Sequence, residues 1–162
     1  MGRLPWLSLS FGVLLAALFY LLPRPSGPLM LVAGPFWHVS AGHLWCNLPF
    51  LVLLGALYEI QVGHHDFCVF FLFASVWVAC AVSCCGRTLI GASGTMFALA
   101  AVSLATSLRR KNFGSAFILA VWLAISVLPL NLAHLFGLIL GLAWGTLADR
   151  CASALESLIA PA

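Results

Sequence analysis

Long apolar runs broken by short polar or proline-rich stretches dominate the chain, and these breaks predict its elements. Residues 6–22 form the first run, preceded by Arg3 and closed by Pro23-Arg24-Pro25-Ser26-Gly27-Pro28, a cluster that stops a helix and forces a loop. A charged start would suit a signal peptide, but no small-x-small cleavage site precedes the prolines, so the run reads as a membrane span. Residues 29–36 are apolar but too short to cross; they predict a connecting segment lying in the interface or dipping into it. A second span is expected over 41–58, followed by a polar turn, Glu59 to Asp66. A third covers 67–85, and Gly86-Arg87-Thr88 turns into a fourth, 89–108, which Arg109-Arg110-Lys111-Asn112 terminates. The apolar stretch from Phe113 to Ala148 is about twice the length of one crossing and divides at Pro129-Leu130-Asn131 into 113–129 and 131–148. The expectation is an all-α, polytopic membrane protein of six spans, a single domain over 1–162.

Composition strengthens that reading. The chain is 64% hydrophobic and 7% charged, with mean hydropathy +1.14, whereas a soluble domain carries about a quarter charged residues. The net charge of +3 comes from scattered basic residues and one cluster, so charge sets topology and does not imply nucleic acid. With the N-terminus in the cytoplasm, Arg3, Arg109, Arg110, Lys111 and Arg150 are inside and only Arg24 and Arg87 outside. The compact form and this charge pattern favour a prokaryotic inner membrane with both termini cytoplasmic. No internal repeat supports an inverted-repeat transporter. The six cysteines show no C-x-x-C spacing and read mainly as small buried hydrophobes.

Candidate chemistry begins with Ser93 in Gly91-Ala92-Ser93-Gly94. Small residues in a membrane helix ordinarily serve close helix packing, and Thr95 occupies the last glycine position of the soluble G-x-S-x-G signature. The serine therefore needs partners. His43 and Asn47 share one face at the outer start of the second span, Ser93 lies at the outer start of the fourth, and His134 at the outer start of the sixth. Polar groups inside a membrane are costly, so their convergence at one depth points to function. Glu59, Asp66, Asp149 and Glu156 all fall at or beyond inner ends, and the run from His43 to Glu59 is roughly 24 Å of helix. No carboxylate reaches the serine, so the site is expected to be a Ser-His dyad in which the imidazole takes and returns the serine proton. Gly137, Gly141 and Gly145 form a ridge that lets the sixth span approach the fourth, with Gly91, Ala92, Gly94 and Ala98 as its matching surface.

Taken together these residues resemble the rhomboid intramembrane serine protease family. His38, His43 and Asn47 match its H-x4-H-x3-N pattern, Gly91 to Gly94 its G-x-S-G, and Ala133-His134-Leu135-Phe136-Gly137 its A-H-x-x-G, while Gly55 to Gly63 resembles its G-x3-E-x3-G. The resemblance covers about residues 30–149. It implies a rhomboid-like six-helix bundle with Ser93 as nucleophile and His134 as general base. His43, Asn47 and the Ser93 N–H would donate to the oxyanion, with His38 supporting from the connecting loop. Phe97 resembles the aromatic that packs on the base histidine. The Trp-Arg pair of many members is replaced in the first loop by Ala33-Gly34-Pro35-Phe36, a departure compatible with a compact, rhombosortase-like branch.

Such a protein would cleave membrane-anchored proteins near the outer face, admitted laterally between the second and fifth spans, without cofactor or metal. The rival reading is a non-catalytic relative that binds or escorts transmembrane helices. A metal site gains little from the five histidines, because His38 and His43 share a helix face poorly and His64 and His65 lie on the opposite side. His64 and His65 read as solvated loop residues, Trp6, Trp37 and Trp45 as interface anchors, Trp122 and Phe117 as packing or lipid contacts, and Asn131 and Ser126 as partners for backbone groups at the turn. The oligomeric state is not legible.

Overall fold

The computed structural model describes residues 4–126 and 131–159, with side chains to Leu147. Its described residues contain helices and no strand: α1 (Trp6–Leu21), α2 (Leu29–Ala33), a 3-10 turn (Gly34–Phe36), α3 (Ala41–Val62), α4 (His64–Cys84), α5 (Ser93–Arg109), α6 (Phe113–Ser126) and α7 (Leu132–Ile159). Helices α3 and α4 are long and apolar enough to cross a membrane; α1, α6 and the Leu132–Leu147 part of α7 are shorter apolar helices. Helix length alone therefore does not establish six crossings.

The boundaries depart from the expected ones where tertiary partners intervene. Residues 89–92 are not helical, and α5 starts at Ser93. Gly91 has φ +109°, a left-handed conformation that interrupts a right-handed helix, and its N–H donates to the Gly34 carbonyl at 3.0 Å. The expected polar turn at Glu59 is instead the last turn of α3, which ends at Gly63 with φ +99°. His64 and His65 then open α4 and are not loop residues. At the far end of α4, Gly86 in the left-handed region lets the N–H groups of Gly86 and Arg87 reach the Ser83 and Val82 carbonyls. Pro129 and Leu130, part of the expected break in the last apolar stretch, lie outside the described residues. Helix α7 continues past the expected boundary at 148 to Ile159.

Helix α5 is the hub. Every residue from Gly94 to Ser103 is buried, and α3, α4, α6 and α7 all pack on it, α7 most extensively. The reason is visible in the glycines. A Cβ on Gly137 would stand 2.0 Å from the Gly94 carbonyl oxygen, and one on Gly141 2.3 Å from that of Ala98. The two backbones are thus in direct contact, as small residues permit in membrane helices. Gly91 is not part of that surface; a Cβ there would meet the His43 ring at 2.8 Å.

Polar groups turn inward. Ser75 Oγ bonds Thr95 Oγ1 at 3.0 Å and the Phe71 carbonyl at 2.8 Å, and the Gln61 amide donates to Ser107 Oγ at 2.9 Å. Glu59 is buried and accepts from the Leu7 and Ser8 N–H groups, from the Ser8 hydroxyl and from His64 Nδ1. It thereby caps α1, whose own preceding residue, Pro5, supplies no cap. Outward faces carry Val13, Leu53, Phe117, Ile118 and Ile125. Cys46, Cys80, Cys84 and Cys85 also lie on the exposed surface, and Cys68 is partly exposed, so burial does not explain them. Trp37 is buried beside Phe19 and is no interface anchor. Trp45 is exposed with its indole N–H on the Tyr20 hydroxyl, and exposed Trp6 packs on His64.

Candidate active site

Chain order places the candidate residues at one end of the bundle. Ser40 caps α3 by accepting from the His43 N–H at 3.2 Å, which fixes the first turn that carries His43 and, one turn on, Asn47. Ser93 is the first residue of α5. The opening N–H groups of a helix have no intrahelical acceptor and carry the positive end of its dipole, so this position favours a developing negative charge. His134 lies in the first turn of α7, begun by Asn131, whose Oδ1 accepts from the His134 N–H at 3.0 Å.

His43, Asn47, Ser93 and His134 all line one cavity of about 720 Å³. His38 does not line it. That residue is buried in the connection before α3, with its ring edge-to-face on His43 at 5.2 Å between centroids. Burial, and secondarily the neighbouring His43, lower its pKa from 6.5 to about 4, so the ring is neutral at pH 7. The structure thus brings four of the five predicted residues to one void and sets the fifth behind it.

Two features hold the rings in place. Phe97, one turn into α5, stacks on His134 with centroids 4.3 Å apart and planes 8° from parallel, the contact expected of it. Trp122 of α6 packs on Phe97 at 5.4 Å, so the imidazole is fixed through two aromatic layers. Gly91 leaves room for the His43 ring, and the Gly91 N–H bond to Gly34 ties the serine loop to the connecting segment. A Cβ on Gly34 would collide with the Leu89 carbonyl at 2.3 Å, which gives the Ala33-Gly34-Pro35-Phe36 segment a definite packing role.

The Asn47 side-chain nitrogen is buried without a hydrogen-bond partner. An unsatisfied buried donor is costly and calls for an explanation; here it borders the cavity that Ser93 also lines. Sequence reasoning left out further lining residues, among them two with side chains able to hydrogen-bond to a substrate. Arg87, read only as a loop charge, and Asn131, read only as a partner for backbone groups, both border the void. A side chain that caps a helix and one that also faces a cavity give the same sequence signal, so spacing could not separate them. The arrangement can supply a hydroxyl, an imidazole and N–H donors around a space large enough for a segment of extended peptide.

A family model described as Rhomboid domain matches residues 25–150, and the chain belongs to that family. It is accordingly an integral membrane protein of a family whose members are generally intramembrane serine proteases acting on membrane proteins. No curated protein matches the chain.

Proposed function

We propose that the chain is an intramembrane serine endopeptidase that cleaves membrane-anchored proteins near the outer face of the membrane. In this reading a single domain over 1–162 crosses six times with both termini cytoplasmic, in a prokaryotic inner membrane. The carrying observation is that Ser93, His134, His43 and Asn47, from three separate helices, line one void while Phe97 stacks on the imidazole.

His134 takes the Ser93 hydroxyl proton as Oγ attacks the scissile carbonyl, and the tetrahedral intermediate bears its negative charge on the former carbonyl oxygen. His43, Asn47 and the Ser93 N–H donate to that oxygen. The carbon–nitrogen bond then breaks, His134 delivers the proton to the leaving amine, and an acyl-enzyme remains on Ser93. Water deacylates it with His134 again as base. His38 supports the His43 ring by packing. The substrate helix has to unwind before its carbonyls become accessible, because a helix engages them in its own hydrogen bonds.

The test is cleavage of single-span model substrates by purified protein, comparing the native chain with Ser93→Ala and His134→Ala. Loss of cleavage in both folded variants is expected. A native chain that cuts none of them and leaves Ser93 unreactive toward a fluorophosphonate would favour helix binding without catalysis.

A further inference from the structure

Among the described residues the Asn131 amide has two contacts, and their chemistry fixes its orientation. The His134 backbone N–H can only donate, so the atom facing it at 3.0 Å has to be the amide oxygen. The amide nitrogen is then the atom 3.3 Å from His134 Nε2. That nitrogen can only donate, so Nε2 has to accept, and the neutral imidazole carries its proton on Nδ1. One side chain thus caps α7 and selects the tautomer of the histidine three residues on.

We propose that Asn131 is a positioning residue that holds His134 in the tautomer whose Nε2 carries the lone pair that receives the Ser93 proton. This rests on the protease reading above. At rest the lone pair accepts from Asn131; when a substrate brings Ser93 into reaction, the serine hydroxyl replaces the amide as donor. Asn131 itself neither gains nor loses a proton. Its tie to the His134 backbone keeps it within reach to reset the ring after each turnover. Among the described residues, His43 on α3 and Arg87 before α5 are the other titratable or charged side chains lining the same cavity. Neither alternative, a charged arginine or a second imidazole, is held to His134 through a shared helix cap.

Two substitutions separate tautomer control from capping, because aspartate and serine are both good helix caps. In Asn131→Asp the cap is kept, but a carboxylate faces Nε2 and accepts from it, reversing the tautomer. In Asn131→Ser the cap is kept and the amide donor is lost, because the hydroxyl sits at the capping position without the amide's second arm toward Nε2. The measurement is the long-range proton–nitrogen spectrum of the full chain in detergent micelles with nitrogen-15 in its histidine rings, at a pH where the ring is neutral. The His134 signals are assigned by their loss in His134→Gln. The native protein is expected to show Nδ1–H, Asn131→Asp to show Nε2–H, and Asn131→Ser a mixture. A native Nε2–H form overturns the proposal, as does an unchanged Nδ1–H form in either variant. Should Asn131→Asp fail to fold, the native and serine spectra decide. Fluorophosphonate labelling of Ser93 supplies the catalytic readout. Asn131→Asp should react roughly 10²- to 10⁴-fold more slowly, the scale of a wrong-tautomer defect, and Asn131→Ser should fall between it and the native chain. Labelling of both variants at the native rate overturns the positioning role, whereas failure of the native chain itself to label sinks the protease reading and leaves the spectrum to judge the tautomer.

Discussion

The side chains around the cavity pull stability and activity in different directions. The buried Asn47 amide nitrogen has no partner, and such a group costs about 1–3 kcal/mol. Asn47→Ala should therefore leave the melting temperature unchanged or raise it, while lowering kcat by roughly 10²- to 10³-fold if that nitrogen serves an oxyanion. Thermal unfolding and cleavage rates on the same preparation check both signs. Phe97 makes the opposite case. Its stack on His134 resembles aromatic pairs worth about 0.5–1.5 kcal/mol beyond burial, so Phe97→Leu, which retains most of the apolar volume, should slow Ser93 labelling by up to about tenfold with only a modest loss of stability. His38 adds a pH dependence. Its folded pKa near 4 lies below the ordinary 6.5, so between those values the unfolded chain binds more protons than the folded one, and stability falls as pH drops. Above 6.5 this residue contributes no slope. Melting temperature followed from pH 7 to 4 should decline more steeply for the native chain than for His38→Phe, and equal slopes would remove His38 as the cause.

Among the elements, α5 and α7 depend on atoms that are not there. A methyl group on Gly137 would lie 2.0 Å from a backbone carbonyl, which no side-chain rotation relieves. Overpacking ordinarily costs about 1–3 kcal/mol, and displacing a backbone belongs at or above the top of that range. Gly137→Ala should lower the melting temperature and separate Ser93 from His134, abolishing labelling. Gly114→Ala in α6, whose only near neighbour among the described residues is an Asn112 oxygen at 3.9 Å, should retain both; comparable losses in the two variants would argue against the close helix approach. The ridge of α7 is legible in the sequence because its glycines recur at helical spacing. The start of α5 is not, since residues 89–92 are as apolar as a helix, and the left-handed backbone of Gly91 with its bond to Gly34 makes them a loop. The same holds where α3 meets α4: Glu59 and His64 read as a polar turn until the N-terminus of α1 is seen to consume the carboxylate. Local sequence carries local chemistry, whereas these boundaries are set by partners some 50 residues away.

At the scale of the molecule, the polar residues divide into two ends joined by an apolar bundle. One end holds the Ser93 cavity; the other holds Glu59 with His64 and the Arg109 guanidinium, which bonds the Gly145 carbonyl and Thr106. Which end faces outward is a separate question, and the cysteines supply the means to answer it. Cys84 ends α4 and Cys85 follows it, both exposed, a few residues before the serine loop. Cys68 lies in the second turn of the same helix, toward the Glu59 end. In the proposed orientation α4 runs outward, so a membrane-impermeant maleimide added to intact cells should label a variant retaining only Cys84 and Cys85, and should spare one retaining only Cys68 until the membrane is opened. The basic residues favour this direction, since Arg109, Arg110 and Lys111 gather at the end away from the cavity. The reverse labelling pattern would turn the cavity toward the cytoplasm. The residues lining the cavity would be the same, but under the proposed protease reading the substrates would have to be proteins whose cleavable segments face the cell interior.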